Sequence, residues 1–203
     1  MAQQSGTRAS GDTRRDLLRA AGEMLEGEGL DAVTLRGLGA AAGVSRTAPY
    51  RHFSDKQELL ASVAAEGMRA LRETMTRAAE EAAHKRPGAR VEAVLNAYAE
   101  AALARPAHYR LIFGAGLSGR EHPQLIAEGS AAFELLAECV REAHAGRSRE
   151  PYSAVRTTAL LWATVHGVVD LTLSGHASAE KGLADPRAVV RLAVAQAWPP
   201  DAG

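Results

Sequence analysis

Between Thr34 and Lys56 the chain gathers side chains able to grip a polyanion. Four positive residues, Arg36, Arg46, Arg51 and Lys56, stand against a single acid, Asp55, a local charge of +3 on a chain whose formal net charge is zero. Thr34, Ser45, Thr47 and Tyr50 add neutral donors, and His52 adds another. Clustered cations attract phosphates, and hydroxyl donors fix register on a nucleic-acid backbone. The same charge also suits the solvated basic face of a small helical subdomain, so charge by itself leaves both readings open.

Other chemistry finds little support. Gly114-Ala-Gly116-Leu-Ser-Gly119 spells GxGxxG, but a dinucleotide site needs a strand before it and a βαβ context around it. The preceding run starts at Pro106 with helical spacing, and the region about twenty residues on, Ala131 to Val140, is also helical. Cys139 is the only cysteine. It excludes an intrachain disulfide, has no nucleophile partners in sequence, and reads as a small apolar core residue. The seven histidines form no HExxH or Cys/His cluster, so no metal site is expected. The acids are scattered at helical surface spacings without a catalytic pair. No cofactor and no enzyme activity are expected. Arginine outnumbers lysine 21 to 3. Codon bias explains that more simply than function, although arginine is also the better phosphate and guanine ligand. Arg8, Arg14 and Arg15 read as a solvated tail rather than a minor-groove arm.

Helices must carry these residues. The chain has 203 residues, 46% hydrophobic, 24% charged and only 4% aromatic. Length and composition suit one globular unit or two small ones, and an all-α fold of about nine helices rather than a sandwich. Residues 1–12 are polar and expected to be disordered. A first helix starts near Asp12 or Thr13, with Leu17, Leu18, Ala21, Met24 and Leu25 on one face, and ends at Gly27 and Gly29. Thr34 caps a second helix with Leu35 and Leu38 inward, and Gly43 stops it. Ser45 caps a short third helix running to about His52. Two short helices joined by a glycine turn make a helix-turn-helix, whose second helix has its first residues free for the major groove. Ser54-x-x-Gln57 reads as a capping box for a long fourth helix reaching about Ala83, with Leu59, Leu60, Val63, Met68, Leu71 and Met75 as its apolar stripe. Lys85 to Ala89 reads as a turn. Further helices are expected at about 89–104, 106–114, 121–145, 151–174 and 185–198.

The spacing from Thr13 to Glu66 decides between the two readings. The run resembles the TetR family of bacterial transcriptional regulators. Arg14–Leu25, Gly29-Leu30, Val33-Thr34-Leu35, Ala42-Gly43-Val44-Ser45, Tyr50-Arg51-His52-Phe53 and Lys56-Gln57-Glu58-Leu59-Leu60 carry the resemblance. It implies that Ser45 to His52 is the recognition helix, that Thr34, Arg36, Tyr50, His52 and Lys56 touch phosphate, and that Arg46, Thr47 and Ala48 face bases. It also implies that Phe53 packs the small domain. Pro49 departs from a smooth helix. A helix capped by Ser45 loses one hydrogen bond at Pro49, at a cost of about 3 kcal/mol in mid-helix, so a tight or 3₁₀-like start is expected.

The division expected is a tail over 1–12, a DNA-binding domain over 13–56 and a ligand-binding and dimerisation domain over 57–203. Leu161-Trp162-Ala163-Thr164-Val165-His166-Gly167 resembles the Trp-His-Gly signature of one group of TetR-like C-terminal domains. The helix holding it is apolar around most of its circumference and must be covered on several sides. Leu161, Val165, Val168 and Val169, with Val190, Val194 and Trp198 of the last helix, are expected at a two-fold dimer interface. For a small-molecule pocket the candidates are Met75, Tyr98, His108, Tyr109 and Phe113, with Phe133, Cys139, Trp162 and His166. Each taken alone is more often plain core. The resemblance implies a homodimer on a near-palindromic double-stranded operator, released by a small apolar effector. A ligand-independent regulator or activator is the alternative, and an all-helical enzyme a remote one. The N-terminus lacks an apolar signal segment, and Ala159 to Leu173 falls short of a membrane span, so no membrane partner and a cytoplasmic location are expected.

Overall fold

A computed structural model describes residues 10–114, 117, 122–145 and 152–198. Among these residues there are nine helices and no strand. They are α1 (Ser10–Glu28), α2 (Leu35–Ala41), α3 (Pro49–His52), α4 (Lys56–Glu81), α5 (Pro87–Ala104), α6 (Pro106–Phe113), α7 (Pro123–Ala145), α8 (Ala154–Leu173) and α9 (Pro186–Ala197). The expected all-α architecture is what the chain adopts. Arg8 and most of the GxGxxG segment lie outside the described residues.

Five of these helices, α3, α5, α6, α7 and α9, open on proline. The first helical residue needs no N–H, and a fixed φ near −65° already suits a helix. This corrects the turn expected over Lys85–Ala89: α5 begins inside it, at Pro87.

Contacts divide the chain into two compact units. The first comprises residues 1–67 and 107–125, the second 68–106 and 126–203. In the first, Leu17, Leu18, Ala21, Leu25, Val33, Leu38, Phe53, Leu59 and Val63 are buried, which is the face foreseen from the spacing of α1 and α4. In the second, α5, α8 and α9 pack on one another. Arg72 Nε bonds Glu128 at 2.7 Å between α4 and α7, and Arg187 pairs with Glu100 at 2.6 Å between α9 and α5. Helix α4 runs through both units, changing over between Gly67 and Met68. No described helix is long and apolar enough to cross a membrane.

Within the single chain, α8 is buried on one side and open on the other. Leu161, Val165, Val168 and Val169 are buried, whereas Leu160 is 54% exposed and Val155 more so.

Candidate nucleic-acid interface

The interface is built outward from the core of the first unit. Thr34 has extended backbone and its hydroxyl oxygen accepts from the Gly37 N–H at 3.1 Å, so the foreseen cap of α2 is present. Leu38 turns inward and is fully buried, while Leu35 is half-buried. The chain reverses at Gly43, φ +66°, a conformation in which a Cβ is costly. A second glycine matters as much. A Cβ at Gly39 would stand 2.9 Å from the Ser45 carbonyl oxygen and 3.2 Å from Arg46 Cα. Gly39 therefore lets the recognition segment lie directly on α2, and its carbonyl accepts from the Val44 N–H at 2.9 Å.

The recognition segment is shorter than a helix from Ser45 to His52. Helix α3 starts at Pro49, with Ala48 in the cap position and no side-chain cap. Ser45 to Ala48 is a tight turn in which the Ala48 N–H donates to the Ser45 carbonyl at 3.0 Å. This corrects Ser45 as the helix cap; its hydroxyl lies instead 3.2 Å from that of Thr47. The cause is the one foreseen at Pro49, which has no N–H for the Ser45 carbonyl, so Ala48 supplies one in an i to i+3 bond.

Ser54 likewise does not cap α4. Asp55 does: its Oδ1 accepts from the Glu58 N–H at 2.8 Å, and Glu58 reaches back to accept from the Ser54 N–H at 2.7 Å. The capping box foreseen at Ser54-x-x-Gln57 is thus shifted by one residue, because an ionised carboxylate accepts more strongly than a hydroxyl. The N–H of Ser54 holds the Glu58 carboxyl below the ordinary carboxylate pKa.

Above this base, Thr34, Arg36, Ser45, Arg46, Thr47, Tyr50 and Arg51 are exposed. Tyr50 leaves 57% of its surface in solvent. Ala48, His52 and Lys56 are half-buried, and Lys56 Nζ donates to the Leu30 carbonyl at 3.1 Å, tying the start of α4 to the end of α1. Phe53 is buried. The guanidinium of Arg14 sits 5.3 Å from its ring centroid and donates to Ser62 Oγ at 3.1 Å. Arg14 is therefore neither arm nor tail but a brace from α1 across Phe53 to α4. Neither the close approach at Gly39 nor the bracing role of Arg14 follows from local sequence, since only tertiary contacts reveal them.

A profile described as bacterial regulatory proteins of the tetR family matches residues 17–63, a span that holds all ten candidate DNA-binding residues. A second, described as a tetracyclin repressor-like C-terminal domain, matches residues 91–197. The chain belongs to the TetR family. It is a DNA-binding transcriptional regulator. A Rhodococcus protein of unknown function is 34% identical, with a TM-score of 0.80 and 97% of each chain covered. The TetR family transcriptional regulator PfmR from Thermus thermophilus is 19% identical, with a TM-score of 0.65, covering 88% of this chain and 96% of that one. The fatty acid degradation regulator FadR from Bacillus halodurans is 16% identical, with a TM-score of 0.68, covering 92% and 95%. The last two share its fold. No protein of curated function matches it significantly in sequence.

In the second unit of this TetR-family chain, four of the nine pocket candidates come together. The Tyr98 ring lies 5.2 Å from Trp162 and 5.0 Å from His166, Trp162 lies 4.7 Å from His166, and Phe133 meets Trp162 edge-on at 5.6 Å. The Tyr98 hydroxyl is 3.0 Å from His166 Nε2 and 3.2 Å from Nδ1, and it donates to whichever nitrogen carries no proton. Burial pushes the His166 pKa down to about 4, so the ring is neutral near pH 7. Met75 and Cys139 are buried in the same unit, and burial raises the Cys139 thiol pKa. His108, Tyr109 and Phe113 belong to the first unit. The proposed interface residues Leu161, Val165, Val168, Val169, Val190 and Val194 are in the core of the chain itself, and Trp198 is half-buried.

Proposed function

We propose that this regulator is a repressor that holds a near-palindromic operator as a homodimer and lets go when a small apolar molecule occupies its C-terminal helices. The observation that carries the reading is the row of exposed cations and donors, Arg36, Arg46, Thr47, Tyr50 and Arg51, mounted on a glycine-tight helix-turn-helix over a closed core. Arg46 and Thr47 project from the turn ahead of α3, where base edges are read, and Thr34, Tyr50, His52 and Lys56 contact phosphate.

The dimer reading rests on α8 and α9. With the buried valines committed to the chain's own core, the outward face of these helices includes Val155, Ala159, Leu160, Ala163 and Gly167 together with Leu192, which is 61% exposed, bordered by the exposed Arg156, Asp170 and Arg191. Exposed leucines among small residues suit a close two-fold helix pairing. The effector reading rests on the Tyr98, Phe133, Trp162 and His166 cluster. Three aromatic faces and a neutral imidazole–phenol pair favour an uncharged, largely apolar molecule, and the Trp-His-Gly grouping belongs to this same proposal. Release requires only that the molecule favour the conformation that binds DNA less well.

Selection of bound duplexes from a random pool tests the reading. The expected product is an inverted repeat with half-site centres about 34 Å, one helical turn, or a multiple apart. Failure to enrich any duplex, or enrichment of an unpaired half-site, would overturn it.

A further inference from the structure

Glu26 is badly placed for its own helix. It lies in the last turn of α1, which contains no basic residue, and an acid at that end opposes the helix dipole. Its partners explain it. One carboxylate oxygen accepts from the His108 backbone N–H at 2.9 Å and from His108 Nδ1 at 2.6 Å, and the other accepts from the Ala107 N–H at 3.2 Å. These are the first N–H groups of α6, because Pro106 has none. Arg105, which precedes Pro106, has no acceptor in its side chain. Helix α6 therefore lacks a cap of its own and takes one from α1. Burial pushes the Glu26 carboxyl pKa up, but the N–H groups of His108 and Ala107 and the His108 ring outweigh it, and the carboxyl ends below its ordinary value.

The same histidine touches a third helix. His108 is 4% exposed, and a Cβ at Gly67 of α4 would stand 3.0 Å from its Cδ2 atom. Helices α1, α4 and α6 thus meet at one imidazole. Beside it the α1–α6 contact is poorly filled: a cleft of about 370 Å³ opens between Leu25, Gly29 and Leu30 on one side and Ala107, Leu111 and Gly114 on the other. The Glu26–His108 contact bridges the two helices at the edge of this cleft.

We propose that Glu26 and His108 are positioning residues for DNA binding: a clamp that makes α6 part of the DNA-binding unit and holds α1 where α2 and α3 pack on it. The proposal rests on the chain's binding DNA as its family does. It deepens the release reading by naming the contact whose loosening lowers affinity.

The test uses the full chain, Glu26→Gln, His108→Leu and the double variant, with a duplex recovered by the selection above. Amide exchange in the free protein reads the clamp, and the Kd for the duplex reads its positioning role. Glu26→Gln is expected to speed exchange at Ala107 and His108 while leaving the second half of α4, from Met68 to Glu81, as in the parent. Its Kd is expected to rise about tenfold, within the ordinary range of coupling between sites. The double variant is expected to be no worse than the worse single one, as for residues acting as a unit. Parental exchange at 107–108 would overturn the clamp. Faster exchange with a parental Kd, or additive losses in the double variant, would overturn the positioning role. A parent that enriches no duplex would overturn the DNA reading and the positioning role with it, while exchange still decides the clamp.

Discussion

Tyr50 and His166 show opposite uses of a polar ring. Tyr50 stands more than half in solvent, next to a buried Pro49. In the proposed function its hydroxyl donates to a phosphate rather than reading a base. Tyr50→Phe is expected to weaken binding by about 1 kcal/mol, the worth of one ordinary hydrogen bond, and by the same factor across operator variants. Titrations against the selected duplex and single-base variants of it check this; a loss confined to some sequences would make Tyr50 a base-reading residue. His166 is hidden instead, with its pKa lowered from 6.5 to about 4. In the unfolded chain it gains a proton as pH falls below 6.5, whereas in the folded chain it stays neutral down to about 4. The unfolded state binds more protons in that window, so its contribution to stability is complete above pH 6.5, declines toward pH 4 and levels off below. His166→Gln can still accept from Tyr98 but does not titrate. Melting temperatures measured from pH 7 to pH 4 are expected to fall less steeply for the variant than for the parent.

At the scale of elements, the helix-turn-helix depends on closeness. Gly39→Ala would press a methyl against the backbone of Ser45 and Arg46, and backbone cannot swing aside as a side chain does. The expected cost is about 1–3 kcal/mol, typical of overpacking, with DNA binding lost at temperatures where α-helical circular dichroism persists. Full binding by this variant would show that the segment tolerates a wider separation from α2. The sequence made the helices legible wherever apolar spacing was strong, as in α1 and α4, and wherever proline and glycine marked boundaries. Ser45 and Ser54 misled because capping there is decided by competition: Pro49 moved the start of α3, and the Asp55 carboxylate displaced the Ser54 hydroxyl. The exposed donors and cations of the candidate interface were legible from residue type and spacing. Gly39, Arg14 and Glu26 were not, because each acts on a residue distant in sequence or on a backbone approach that no local pattern encodes. The same limit applies to α8, where alternation between Leu160 and Leu161 separates an outward surface from the core only once α5 and α9 are in place.

At the scale of the whole molecule, that outward surface makes association the main prediction. Leu160→Asp combined with Leu192→Asp is expected to yield a monomer by light scattering at micromolar concentration and to abolish tight operator binding, with helix content unchanged. A parental chain already monomeric at that concentration would end the dimer proposal. The proline starts of α3, α5, α6, α7 and α9 bear on the molecule in another way. A ring that locks φ restricts the denatured chain as much as the native one, so part of this protein's heat tolerance resides in a state with no fixed contacts at all. Pro87 is exposed at the first position of α5. Pro87→Ala is expected to lower stability by about 0.4–1 kcal/mol with little change in calorimetric unfolding enthalpy. Five such positions along the chain give the native state an advantage set by how little the disordered polypeptide can wander.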